Sequence, residues 1–220
     1  MNWQVIGLRL GSGYDIYHTK GKLLNNNLLS NKNTLFGKFN YQFFNISMIT
    51  IISSTNRPGS STLKLAKIYQ QKLKEKGVEA GILSLAQLPD NIIVSDLYNK
   101  RSPEFEPIQQ IVSNTDKFIF LIPEYNGSFP GVLKVFIDAC NFPESFYDKK
   151  AALVGLSSGK YGNIRGVDHF TGVCHYLHLN IMALKIHIAA INKEFDEDGN
   201  LFKSDTIKFV NEQIDKIISF

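Results

Sequence analysis

The side chains best suited to chemistry lie close together in residues 54–62, where hydroxyls and a guanidinium that can bind phosphate oxygens are concentrated. These candidate phosphate ligands are Thr55, Arg57, Ser60, Ser61 and Thr62. A β-branched run precedes the segment, and a lysine-rich pattern of helical period follows it. The first N–H groups of a helix have no intrahelical acceptor and carry partial positive charge. This order of strand, polar loop and helix therefore favours an anion.

The same loop also permits a purely structural interpretation. Serine and threonine are ordinary helix caps, Pro58-Gly59 is an ordinary turn, and Arg57 can be a solvated surface charge. No Gly-Lys-Ser/Thr opens the helix and no Gly-x-Gly-x-x-Gly occurs here, so the loop matches neither the common triphosphate motif nor the dinucleotide motif. If the loop binds a phosphate, we expect the phosphate of a mononucleotide.

Two further polar segments follow apolar runs that have the length of a strand. Their candidate site residues are Pro123, Glu124, Tyr125, Asn126 and Gly127 in the first segment, and Ser157, Gly159, Tyr161 and Gly162 in the second. Short polar loops of this kind leave a flat slot between them that suits a planar ring attached to a phosphate. Tyr125 and Tyr161 can serve as aromatic walls of such a slot, with ordinary packing as the alternative.

Apolar runs alternate with helical patterns along residues 48–220. The predicted strands are residues 49–52, 78–85, 118–122, 151–157 and 181–190. This alternation predicts an α/β fold, a doubly wound five-stranded parallel sheet of order 2-1-3-4-5 with helices on both faces, which is a three-layer sandwich. The three polar segments then follow strands 1, 3 and 4. We expect them to meet in one crevice at the carboxyl edge of the sheet.

Charge and composition narrow the class of partner. Residues 1–47 contain five Lys or Arg and one Asp, which accounts for the net charge of +4, so residues 48–220 are neutral. A neutral globular part argues against a nucleic-acid-binding face. No run approaches the about 18 apolar residues of a membrane span. Cys140 and Cys174 lie in helix-like stretches without a Cys-x-x-Cys motif, so we expect reduced thiols in a cytoplasmic protein.

No side chain stands out as a catalytic acid, base, nucleophile or metal ligand. Glu124 lies in a turn, where a solvated or backbone-pairing role is expected. His169 and His175 do not share a helical face, and His175 and His178 lack an accompanying carboxylate. We therefore expect neither a metal site nor a catalytic residue supplied by the protein.

Two segments resemble the signatures of the NADPH-dependent FMN reductase family, which includes chromate, quinone and azo reductases. The first is Thr-Asn-Arg-Pro-Gly-Ser-Ser-Thr at residues 55–62, followed by Leu65-Ala66. The second is longer and more specific: Pro-Glu-Tyr-Asn-Gly-Ser at residues 123–128 continues through Pro-Gly-Val-Leu-Lys at residues 130–134 to Ile137-Asp138. The resemblance covers residues 48–220.

The resemblance implies a flavodoxin-like domain that binds FMN. The side chains named in residues 55–62 would hold the phosphate, residues 123–126 would lie along the isoalloxazine, and residues 157–162 would close its other edge. Hydride would pass from NADPH or NADH to FMN and then to flavin, a quinone or a similar small acceptor, in a homodimer or homotetramer. The alternative is a non-enzymatic electron carrier of the flavodoxin type, which the neutral charge disfavours because such carriers tend to be strongly acidic.

Two positions depart from the family pattern. Thr62 replaces the usual Asn at the helix start, and Gly162-Asn163-Ile164-Arg165 replaces a Gly-Gly pair before an Arg. The second departure bears on how NAD(P)H or a partner subunit packs there more than on FMN binding.

Residues 1–47 differ from the rest in composition. They are rich in Asn and lack sustained periodicity, and Met48 stands directly before the first predicted strand. We expect this segment to be a poorly ordered leader or an over-extended start, with the flavodoxin-like domain in residues 48–220.

Overall fold

The computed structural model describes residues 3–10, 13–20 and 48–220, and the chain divides into two compact units, Met1–Ile46 and Ser47–Phe220. In the first unit, β1 (Trp3–Leu10) pairs antiparallel with β2 (Gly13–Lys20). The sequence pattern did not predict these two strands. Most of the predicted leader, residues 21–47, lies outside the described residues, and the leader stays a prediction.

The second unit is built on one parallel sheet. Its strands are β3 (Ile49–Ser53), β4 (Ala80–Ser84), β5 (Lys117–Pro123), β6 (Lys150–Leu156), β7 (Asn180–Ile181) and β8 (Ile186–Ile188). The spatial order is β4-β3-β5-β6-β7, and β8 also pairs with β6. With β7 and β8 counted as one fifth strand, the predicted order 2-1-3-4-5 is confirmed.

Helices connect the strands, as the alternation of apolar runs with helical patterns predicts, but the four-residue α2 lies in a segment where no helix was predicted. They are α1 (Ser61–Glu75), α2 (Ile92–Ser95), α3 (Glu106–Asn114), α4 (Gly131–Ala139), α5 (Ile164–Tyr176) and α6 (Ser204–Ser219). Short 3-10 helices occupy Leu85–Gln87 and Ile191–Lys193. In α1 the buried residues repeat at helical spacing, so one stripe faces the sheet while the lysines face solvent.

The side chains of β3 alternate between two hydrophobic cores, and this alternation produces three layers. Ile49 and Ile51 pack on the face covered by α1 and α6, whereas Ile52 packs on the face covered by α3, α4 and α5. The rings of Phe120 and Phe170 meet edge to face at 5.0 Å, which fixes α5 against β5. Both faces of the central strands are therefore buried, as parallel sheets require.

The fifth strand is interrupted, and the prediction of one continuous strand over residues 181–190 was wrong. Ala151 pairs with Ile181 and Val154 pairs with Ile186. Between these pairs β6 has two residues while the fifth strand has four, so the extra length must leave the ladder. Regular pairing therefore resumes only at β8.

A buried glutamine satisfies the backbone at this interruption. The Gln213 side chain is fully buried, and its Nε2 donates to the carbonyls of Leu153 and Leu184, each at 3.1 Å. The Tyr69 hydroxyl donates to Gln213 Oε1 at 2.9 Å. Gln213 on α6 thus joins α1, β6 and the interrupted fifth strand, and it provides donors for the carbonyls of Leu153 and Leu184.

Replacing Gln213 by Leu introduces an apolar side chain of similar size and removes the partner of the Tyr69 hydroxyl and of two carbonyls. Each buried polar group left unpaired costs about 1–3 kcal/mol. We therefore expect the free energy of unfolding, measured by urea titration, to fall by about 3 kcal/mol or more. Tyr69→Phe is the matched control, because it removes a single donor and should cost about 1 kcal/mol. Equal and small losses in both variants would contradict this role of Gln213.

Candidate functional site

Loop A (residues 54–60) joins β3 to α1 and presents the start of α1 at the carboxyl edge of the sheet. Ser60 is the N-cap of α1, with φ −66° and ψ 149°, and its Oγ accepts a hydrogen bond from the Leu63 N–H at 3.2 Å. The N–H groups of Ser61 and Thr62 lie in the first turn of α1, where the helix offers no acceptor. Loop A therefore directs free amides and a helix dipole toward the rim.

The predicted phosphate ligands differ in their surroundings. Thr55 is buried, its Oγ1 accepts from the Arg57 N–H at 3.2 Å, and it shares a 2.7 Å hydrogen bond with the Tyr125 hydroxyl. Ser61 Oγ donates to Asn192 Oδ1 at 3.1 Å. Thr62 is buried while Arg57 is exposed, and no carboxylate of the described residues lies within 4 Å of its guanidinium. The structure thus brings these residues together but gives Thr55 a partner within the protein.

Loop B (residues 124–130) joins β5, which ends at Pro123, to α4, and it begins with a tight turn. Tyr125 and Ser128 exchange backbone hydrogen bonds of 2.9 and 3.0 Å. Asn126 and Gly127 between them have φ of 52° and 76°, the geometry of a type I′ turn, for which Asn-Gly is the preferred pair. The Glu124 N–H donates to the Leu156 carbonyl at 2.8 Å, so the start of loop B is tied to the end of β6.

Loop C (residues 157–163) joins β6 to α5 and folds around the Ser157 hydroxyl. Ser157 Oγ accepts from the Gly162 N–H at 3.0 Å and donates to the Gly159 carbonyl at 3.1 Å. Gly162 has φ +55°, and a Cβ there would lie 2.6 Å from the His187 carbonyl carbon and 2.7 Å from the Ile188 nitrogen. Tyr161 at the tip is 66% exposed. The Ser157 hydroxyl therefore shapes the loop from inside, and only glycine fits at 162.

The three loops follow neighbouring strands and are connected by hydrogen bonds, whereas the predicted crevice between them stays a prediction. The Thr55–Tyr125 hydrogen bond joins loop A to loop B, and Asn163 Nδ2 donates to the Ile122 carbonyl at 2.9 Å, which joins loop C to the end of β5. Sequence reasoning missed the roles of Asn163 and Asn192. Asn163 has φ 60°, a conformation that Asn tolerates, whereas Asn192 contacts Ser61 across 131 positions and gave no local signal.

The candidate metal-ligating histidines His169 and His178 have different contacts within the protein. His169 Nδ1 shares a 3.0 Å hydrogen bond with Ser128 Oγ, and the ring of His178 stacks on Tyr147 at 4.3 Å. In residues 48–220 and the two strands before them, no group of three or more His, Cys, Asp or Glu side chains converges on a metal position. Cys140 and Cys174 are buried and free, and burial raises the pKa of the Cys174 thiol to about 12, so it is a poor nucleophile.

Two depressions of the protein surface lie away from this rim. One depression of about 960 Å³ lies along α6, and another of about 590 Å³ lies beside the start of β3. Neither is lined by residues of loops A, B or C. For the part of the chain that is described, no helix combines the length and hydrophobicity needed to cross a bilayer.

Comparison with solved structures defines the class of fold. FerB, a flavoenzyme NAD(P)H:(acceptor) oxidoreductase from Paracoccus denitrificans, superposes with a TM-score of 0.68 at 21% identity, covering 79% of this chain and 96% of that one. At this identity the likeness concerns the fold alone, which is the flavodoxin-like arrangement with order 2-1-3-4-5.

Comparison of sequences defines the family. The model of the NADPH-dependent FMN reductases matches residues 47–193, and the chain belongs to that family. It is 32% identical over 129 residues to the 2-hydroxy-1,4-benzoquinone reductase of a Burkholderia species, covering 56% of this chain and 70% of that protein. It is 28% identical over 181 residues to the FMN-dependent NADPH-azoreductase of Staphylococcus aureus, covering 77% and 93%. The protein is thus an oxidoreductase whose cofactor is FMN and whose electron donor is NAD(P)H.

Two glycines of loop C allow a matched test of its geometry. Gly162→Ala would force a Cβ against the backbone of β8 at a left-handed φ, whereas a Cβ at Gly159 would meet nothing within 4 Å. We expect Gly162→Ala to lower the free energy of unfolding by about 2–4 kcal/mol and Gly159→Ala to change it by less than about 0.5 kcal/mol. Thermal unfolding of both variants checks this, and similar stabilities would contradict the close approach of loop C to β8.

Proposed function

We propose that this protein reduces quinones and similar small acceptors with hydride taken from NAD(P)H, and that loops A, B and C hold its FMN. The observation that supports this most is the junction of the three loops at the carboxyl edge of the sheet, beside the free amides of α1. The relatives support the acceptor class, since one is a 2-hydroxy-1,4-benzoquinone reductase and another, from Oryza sativa, is a probable NADPH:quinone oxidoreductase.

The start of α1 is the proposed phosphate position. The donors there are amides of the first helical turn, the guanidinium of Arg57 and the hydroxyls of Ser60 and Thr62, so the donor set fits a dianionic phosphate. The Ser61 hydroxyl would join them by exchanging Asn192 for a phosphate oxygen. Thr55 has a different role, because it positions loop A through its hydrogen bonds to Arg57 and Tyr125. Ser60 would have two roles, since its hydroxyl both contributes to the phosphate position and caps α1.

Loops B and C are the proposed walls of the ring position. Pro123, Glu124, Tyr125, Asn126 and Gly127 would lie along the isoalloxazine, and Ser157, Gly159, Tyr161 and Gly162 would close its other edge. The fixed backbone of the Tyr125–Ser128 turn and the internally bonded loop C support this, since pre-organised groups orient a ring without a loss of freedom on binding. When bound, FMN supplies the hydride-transfer chemistry, so the protein needs to orient the rings and exclude water rather than provide an acid or base.

The enzyme is favoured over a non-enzymatic electron carrier because the family to which the chain belongs is one of reductases. We further propose a homodimer or homotetramer in the cytoplasm. The two buried free cysteines support a reducing compartment. Light scattering of the purified protein measures the number of subunits, and a monomer would remove the oligomer proposal while leaving the activity untouched.

Arg57→Ala tests the phosphate position. Loss of a charged hydrogen-bond donor at a partly exposed site should raise the dissociation constant for FMN about tenfold, measured by quenching of flavin fluorescence. Lys64→Ala is the matched control, because Lys64 is an exposed cation on the first turns of α1 that faces solvent. Unchanged affinity in Arg57→Ala, or equal losses in both variants, would rule out the assignment of Arg57.

Turnover tests the activity itself. FMN-loaded protein should oxidise NADPH in the presence of 1,4-benzoquinone, followed by the loss of absorbance at the nicotinamide band. Protein that binds FMN but leaves NADPH unoxidised with and without the quinone would favour the carrier.

A further inference from the structure

The rim between loop B and the start of α5 carries two basic side chains that the proposed FMN contacts do not use. Arg165 and His169 stand four residues apart on α5, so they share one face of the helix, and both are exposed.

Both side chains reach the same tight turn of loop B. Nη1 of Arg165 lies 3.8 Å from the position that a Cβ on Gly127 would take, so the guanidinium covers the turn at its glycine. Nδ1 of His169 shares a 3.0 Å hydrogen bond with the hydroxyl of Ser128. When Ser128 donates in this bond, the ring proton is on Nε2, and His169 offers a second donor beside the guanidinium.

The charge of Arg165 is not neutralised by the described residues. No carboxylate among them lies within 4 Å of its guanidinium. Asp168, which lies between the two basic residues in sequence, instead approaches Lys185 at 4.0 Å. Glu124 at the start of loop B is the acid of that loop, and its carboxylate forms no ion pair with Arg165. A guanidinium that is exposed and unpaired beside a binding site favours an anionic ligand.

Loop B, loop C and the start of α5 also carry three exposed side chains with apolar surface. Tyr125 is 38% exposed, Tyr161 66% and Ile164 47%, and the Ile164 N–H is bonded to the Tyr161 carbonyl. Flat apolar surface next to a planar cation is suited to an aromatic ring that carries a negative oxygen substituent.

We propose that Arg165 and His169 form an anion subsite on the open side of the flavin site, where they bind an anionic oxygen group of the second substrate. The proposal rests on the proposed function, because it concerns the substrate that exchanges hydride with FMN. The anionic group can come from two sources, the ionised hydroxyl of a hydroxyquinone or a phosphate of the nucleotide, and kinetics separates them.

The first arm compares 2-hydroxy-1,4-naphthoquinone, whose hydroxyl is ionised at neutral pH, with 1,4-naphthoquinone. For each acceptor kcat/KM is measured at fixed NADPH, and the ratio of the hydroxylated to the parent quinone is compared between proteins. We expect Arg165→Gln to lower this ratio about tenfold and His169→Gln about threefold, the range of a partly solvated hydrogen bond to a charged group. Arg165→Lys should restore part of the ratio because it keeps the charge without the planar fork.

Lys208→Gln is the control for net charge, because Lys208 is an exposed cation on α6, on the opposite face of the sheet from α5. It should leave both ratios and the overall rate unchanged. A loss of the same size in Lys208→Gln would mean long-range steering and would overturn the subsite.

The second arm measures the ratio of kcat/KM for NADPH to that for NADH with the parent quinone. A tenfold fall of this ratio in Arg165→Gln, with the quinone ratio unchanged, would keep the anion subsite and assign it to the nucleotide phosphate. If both ratios in Arg165→Gln stay within about twofold of the wild type, the proposal is wrong.

Binding without turnover separates failure of the subsite from failure of the proposed function. Equilibrium dialysis of 2-hydroxy-1,4-naphthoquinone against FMN-loaded wild type and Arg165→Gln needs no NADPH. If the wild type reduces neither quinone, the proposed function fails. A tenfold weaker binding in the variant would still support an anion subsite for the quinone, and equal binding together with unchanged ratios would remove it.

Discussion

The parallel pairing of β3, β5 and β6 is the constraint on which the rim depends. Ile51 is in register with Ile119, and Phe120 is in register with Leu153, so the ends of the three strands are fixed relative to one another. A slip by one residue would move a loop by about 3.3 Å and turn every side chain of that strand to the other face. Burial on both faces prevents such a slip. Polar contacts between the loops, such as the Thr55–Tyr125 hydrogen bond, therefore need to make only small adjustments to the loop positions.

The interrupted fifth strand serves the same rim. Residues 182–185 exceed the facing stretch of β6 by two residues, and this shifts the register in which β8 pairs with β6. In that register the Ile188 carbonyl accepts from the Ser157 N–H at 3.0 Å. The Ala190 N–H then reaches the Gly159 carbonyl at 2.8 Å, so loop C is supported from outside by the segment after β8. Gln213 accommodates the shift by bonding the Leu184 carbonyl in the core. An apparent irregularity at the edge of the sheet is therefore part of what holds loop C.

Some of these features followed from the sequence, and others required long-range contacts. The β-branched run at Ile49 and the stripe of α1 have periodicity that the sheet and helix impose locally, so the order of elements and the convergence of the loops could be predicted. The interruption after Ile181 arises because the fifth strand has more residues between its two pairings than β6 has. This difference cannot be recognised from the sequence of the fifth strand alone. The hydrogen bonds of the Ser157 hydroxyl within loop C could not be predicted either. A serine at the end of a strand can bind a ligand or stabilise its own loop, and the residue type does not distinguish these two roles.

Backbone groups and exposed side chains have different roles at the rim. Hydroxyls of loops A and C are largely engaged with the protein, as Thr55 is with Tyr125 and Ser157 is with Gly162, so backbone geometry carries much of the proposed cofactor position. Backbone groups are insensitive to the identity of the side chain, which is consistent with a fold shared with FerB at 21% identity. Side chains that are exposed and unpaired, such as Tyr161 and Arg165, belong instead to loop C and the start of α5. Substitutions there would change what can approach without disturbing the sheet, which is why the proposed anion subsite can differ between proteins that share this fold.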